Sequence, residues 1–123
     1  MQLHIDGETK IRYLQHTFNA EYPYLKIDFL RDVSAKKFSQ KVEKIHPDEL
    51  IKRAGKLNGT HHLNVNKQRT VVQLKKDLKE FFGLTAEVFR KSGNVWIETS
   101  LTDDWTLEQQ NNEGELLCLH KPA

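Results

Sequence analysis

The sequence predicts an α+β fold, a two-layer sandwich built from an internal repeat of a β-α-β unit in the ferredoxin-like manner. Three observations predict it. Val71, Leu74, Leu78 and Phe81 recur at helical spacing. Short runs rich in strand formers flank that helix on both sides. The same order of apolar positions occurs sixty residues earlier in the chain.

In the first unit, over 3–31, Leu3 and Ile5 open a strand. Ile11, Leu14 and Phe18 make a helical stripe, and YLKIDFLR returns as a strand. These positions match Leu63 and Val65, then Val71, Leu74 and Leu78, then LTAEVFRK in the second unit over 61–91. Thr70 and Gln73 form a capping box, and Gly83 is suited to end the helix. Residues 33–60 read as a basic linker, with 34–46 mobile. Pro47 starts a short helix through 48–54, and Gly55 ends it. The turn Ser92-Gly93-Asn94 folds 95–99 back on 86–91 as an extra hairpin strand. Thr106 and Gln109 cap a last short helix of about two turns, closed by 111–114. The 105–117 segment is expected to fold back on the sheet through Leu107, Leu116 and Leu117, leaving 119–123 frayed. The alternative architecture is a β-grasp, which normally needs a hairpin before its main helix. Only one strand is visible there.

The 123 residues suit one domain, 1–123, and its 95–117 portion holds the hairpin strand and terminal helix. Eleven aromatics argue against a disordered chain. No apolar run approaches the roughly 20 residues of a membrane helix, and MQLHIDGETK lacks the apolar core of a signal peptide. One cysteine, Cys118, excludes an internal disulfide framework and suits a reducing compartment. The net charge of +2 hides a split. Residues 36–56 and 57–97 each carry +4, and 98–123 carry -5. A basic middle and an acidic end can attract each other, although exposed pairs contribute only about 0–1 kcal/mol.

The 89–96 hairpin is the most suggestive feature. Arg90 and Lys91 suit phosphate, Asn94 lies at the turn, and Trp96 offers a stacking surface. The same pattern also suits a plain cross-strand pair of Phe89 and Trp96 with solvated cations. Asp103 and Asp104 beside Trp105 pair two carboxylates with an aromatic, a set that acid–base or cation chemistry can use. Adjacent side chains rarely converge on one atom, and the pair also suits a helix N-terminus. His61 and His62 should point to opposite faces of a strand. His4, His16 and His46 read as isolated. No cofactor or metal is expected, and no glycine-rich phosphate loop is present.

FRKSGNVWIETSLTDDWTLEQQN, with FGL at 82–84, resembles a signature of a family of small, uncharacterised bacterial proteins. The resemblance covers about 70–114. It implies a bacterial, cytoplasmic protein and brings no activity. The expectation is a non-enzymatic interaction or scaffold module with protein partners, with a homo-oligomer left open and no membrane. The alternative is a nucleic-acid binder using the basic middle and the 89–96 hairpin, with weak, non-specific binding at most. A third reading is a small hydrolase-like or metal-dependent enzyme using Asp103 and Asp104.

Overall fold

The computed structural model describes residues 1–32, 42–57 and 59–119. The elements run β1 (Gln2–Asp6), α1 (Ile11–Glu21), β2 (Leu25–Asp32), β3 (Val42–Lys44), α2 (Ile51–Ala54) and β4 (Thr60–Asn64). They continue with α3 (Val71–Phe82), β5 (Thr85–Ser92), β6 (Val95–Glu98), a 3-10 turn (Ser100–Thr102) and α4 (Leu107–Leu119). The fold is α+β, as the sequence predicts.

The helices form where the apolar spacing places them. Ile11, Leu14 and Phe18 are buried on α1, and Val71, Leu74 and Leu78 on α3. The expected fourth member, Phe81, is instead 43% exposed, and Phe82, four residues after Leu78, completes the buried stripe. Thr70 and Gln73 form the capping box, and Gly83 ends α3 in the left-handed conformation at φ 63°. Both units feed one hydrophobic core.

The strands lie in two antiparallel sheets, ordered β1-β4 and β3-β2-β5-β6. First strands pair with each other across the units, and so do second strands: Leu3 faces Leu63, and Ile27 faces Val88. This departs from the single sheet of ferredoxin-like order, and α1 shows why. Its Gln15 Nε2 donates to the Ile27 carbonyl at 3.2 Å, and its Asn19 Nδ2 to the Leu25 carbonyl at 2.8 Å. Helix side chains thus occupy the edge of β2 that a neighbouring strand would need.

The repeat also runs further than the apolar pattern. Ile11 N–H donates to the Glu49 carbonyl at 3.0 Å and Arg12 N–H to that of Pro47 at 2.7 Å. In the second unit, Val71 N–H donates to Trp105 at 3.2 Å and Val72 N–H to Asp103 at 2.8 Å. In return Ile51 N–H reaches the Thr9 carbonyl at 2.8 Å, as Leu107 N–H reaches that of Arg69 at 2.8 Å. The chain is therefore two β-α-β-β-α units. Most of the expected linker belongs to the first: β3 pairs with β2, while Ile45, Ile51 and Leu57 are core. The expected mobile 34–46 stretch falls largely outside the described residues, as does most of the 119–123 tail. Its described end, 42–46, is strand and core rather than excursion. The short helix expected over 48–54 covers only Ile51–Ala54, because the carbonyls of Pro47 and Glu49 are committed to α1.

The last helix corrects two further expectations. It runs 13 residues, and 111–114 does not end it. Gly114 is buried at a close crossing, where an added Cβ would lie 2.7 Å from Tyr24 Cβ and 3.2 Å from Arg90 Cγ. The glycine serves approach rather than termination. The helix folds back on β5 and β2 as expected, and Leu107 is fully buried. Leu116 and Leu117 are 50% and 39% exposed, because Leu107, Gln110 and Gly114 set the face that packs.

Candidate functional site

Successive residues of β5 alternate faces, and this divides the 89–96 candidates. Arg90 shares its face with Ala86 and Val88 and lies under α4. Its Nη1 donates to Gln110 Oε1 at 2.7 Å, and its guanidinium stands 5.4 Å from the Trp105 ring. Gln110 is fully buried and also donates to the Thr102 carbonyl at 2.6 Å. Arg90 is thus a docking post for the last helix. Lys91 points the other way, so the two cations do not meet on one phosphate.

The opposite face of the sheet is the candidate site. Lys91 stands across from Trp96, and Phe89 across from both Lys26 and Glu98, so Phe89 and Trp96 are diagonal neighbours rather than the direct cross-strand pair expected. Lys26 Nζ lies 5.1 Å from the Phe89 ring and 5.4 Å from that of Trp96, while Lys91 Nζ is 6.0 Å from Trp96. Further along, Asp28 and Glu87 face each other across β2 and β5. Like charges opposed in a ladder repel, and three lysines offset this. Lys44 Nζ is 3.2 Å and Lys26 Nζ 4.0 Å from Asp28 Oδ2, and Lys75 Nζ is 3.5 Å from Glu87 Oε2. The face is a mixed-charge surface carrying two partly covered aromatics. A shallow cavity of about 290 Å³ lies where it meets α1, walled by Gln15, His16, Lys26, Asp28 and Trp96 among others.

Asn94 is exposed at the turn. Asp103 and Asp104 lie between the 3-10 turn and α4. The Asp103 and Trp105 carbonyls occupy the N-terminus of α3, and Asp104 is exposed. Among the described residues, no group of three or more His, Cys, Asp or Glu side chains could hold a metal ion.

The histidines are placed partly as expected. His61 turns inward and stacks on Phe81 at 4.5 Å, while His62 turns outward. His4 is not isolated. It faces His62 across β1 and β4, with ring centroids 5.0 Å apart. Sequence reasoning missed this pair, since only the pairing of first strands brings it together. An open groove of about 680 Å³ adjoins it, lined by His4, Asp6, Arg12, Tyr13 and His16 among others. On its rim Arg12 holds Asp48 through two hydrogen bonds of 2.7 and 3.0 Å, which keeps that carboxyl below the usual carboxylate range. Within the core, burial pushes the Tyr22 hydroxyl up to about 12, with Glu21 and Glu108 adding to it, and the hydroxyl donates to the Val65 carbonyl.

No family model, curated protein or solved structure matches the chain. Among the described residues no helix is long and apolar enough to cross a membrane.

Proposed function

We propose that the chain is a non-enzymatic protein-interaction module of the bacterial cytoplasm. The observation that carries this reading is the apolar surface left outside at the end of α4. Leu116 is 50%, Leu117 39% and Leu119 65% exposed, and Val95 of the adjoining hairpin is 58% exposed. Cys118 Sγ lies 3.8 Å from the Gly93 carbonyl, so helix end and hairpin turn are neighbours. Single exposed leucines are ordinary, whereas several together on one helix end are a mark of interaction surfaces. Glu113 and Glu115 accompany them, which favours a partner with an apolar groove and a basic rim. The cytoplasmic, bacterial setting rests on the signature residues of the 70–114 segment and the single cysteine.

The test uses a photo-crosslinker at position 116 in the native cell, with sedimentation of the purified chain. A discrete partner adduct that disappears in Leu117→Lys/Leu119→Lys supports the reading. A monomer with no adduct at 116 overturns it. Nucleic-acid binding is the second reading, favoured by Lys26 and Lys91 beside Phe89 and Trp96. Asp28, Glu87 and Glu98 share that face, so binding should be weak and steeply salt-dependent. Tight, sequence-selective binding near physiological salt, lost in Lys26→Ala/Lys91→Ala, would replace the first reading with the second.

A further inference from the structure

We infer that His4 and His62 form a chelating site for one borderline divalent transition-metal ion of the zinc or copper type. The two residues are direct cross-strand partners, both exposed on the outer face of the β1-β4 sheet. An imidazole nitrogen binds zinc at about 2.0–2.1 Å, which puts the ring centroid about 3.2 Å from the ion. Two such centroids stand about 5.2 Å apart at a tetrahedral angle and about 4.5 Å apart at a right angle. The observed separation is 5.0 Å. The rings already stand at chelating distance, on a short pair of strands that fixes their backbones. The open groove beside His4 leaves room for water or a further donor in the remaining coordination positions.

The repeat supplies an internal control. The units are related about Leu3 and Leu63, so the counterpart of the His4–His62 pair is Gln2 with Asn64, one step along the same ladder. That pair occupies the equivalent place without an imidazole. The repeat itself therefore does not account for the two imidazoles. Imidazole suits zinc and copper and does not suit magnesium or calcium, and affinity should rank copper above zinc.

The experiment is isothermal titration of the full chain with Zn²⁺, Cu²⁺ and Mg²⁺, alongside NMR of the histidine ring protons. One Zn²⁺ or Cu²⁺ per chain should bind and perturb His4 and His62 first, and Mg²⁺ should not bind there. His4→Asn and His62→Gln copy the counterpart pair, so the metal-free melting temperature should hold. Loss of a ligand should weaken binding at least as much as loss of a ligand's supporting partner, about 10–100-fold. Adding Gln2→His and Asn64→His to the native chain should create a second site. Absence of Zn²⁺ and Cu²⁺ binding, or binding that survives His4→Asn and is lost in His16→Gln, would overturn the inference.

Discussion

Replacing Gly114 by alanine sets two opposite effects against each other, and the geometry decides between them. In an open helix interior the change stabilises by about 1 kcal/mol, through backbone entropy in the unfolded chain. Here the new Cβ would stand 2.7 Å from Tyr24 Cβ and 3.2 Å from the Tyr24 carbonyl. Neither atom is the free end of a flexible side chain, so the helix itself must lift. Overpacking of this kind costs about 1–3 kcal/mol. Lifting also strains the Asn111 acceptor for Tyr24 N–H at 2.9 Å and the Arg90–Gln110 bond at 2.7 Å, each contributing about 1 kcal/mol. The expected net loss is about 2 kcal/mol. At about 3–5 °C per kcal/mol for this chain length, the melting temperature should fall by about 6–10 °C. Thermal melting followed by circular dichroism reads it, with Asn112→Ala as control. That residue is exposed on the same helix, and its change should stabilise by roughly half a kcal/mol. If both variants melt higher than the native chain, α4 does not approach Tyr24 and the placement of the helix is wrong.

Leu107→Ala should cost about 2–5 kcal/mol in a urea titration, whereas Leu116→Ala should stay within about 0.5 kcal/mol; equal effects would mean a different rotation of α4. Tyr22 binds its proton more tightly when folded, so its contribution is complete below about 10 and fades as pH rises from there through about 12. Tyr22→Phe should flatten that alkaline loss of stability, and an unchanged alkaline slope would count against burial as its cause. Asp48 is shifted the opposite way. Its contribution is present above the ordinary carboxylate pKa and is lost as pH falls through the lower folded value. Asp48→Asn should therefore shrink the stability difference between neutral and acid solution, measured by urea midpoints, and an unaltered difference would mean that Arg12 holds it too loosely to matter.

The first half of each unit was legible because it is written in side chains. Ile11, Leu14 and Phe18 repeat as Val71, Leu74 and Leu78 since both helices bury the same stripe. The second half repeats through backbone groups. Pro47 and Glu49 do for α1 what Asp103 and Trp105 do for α3, but only their carbonyls act. Any residue has a carbonyl, so nothing in the residue types marks the equivalence. The offset also slips from sixty residues to fifty-six, because the connection from β2 to β3 is seven residues longer than the turn from β5 to β6, and β6 with the stretch that follows it to α4 gives three of these back. The opposition of Arg90 and Lys91 followed from strand alternation alone and was open to the sequence. The His4–His62 pair was not, since it depends on which strand β1 chooses as neighbour. Leu116 and Leu117 misled because hydrophobicity alone does not set helix rotation. A buried glutamine and a glycine set it here.

The exchange of strands between units also governs the order of events during synthesis. Leu3 waits for Leu63, and Ile27 waits for Val88, so about sixty further residues must leave the ribosome before either ladder closes. At roughly 5–20 residues per second that delay is about 3–12 s. During it the first unit carries an unpaired β1 and one bare edge of β2, with its apolar side chains lacking their second-unit partners. Such edges are templates for wrong pairing. The nascent first half is the form of this protein most in need of a chaperone, and the two units should gain their stability in a single late step.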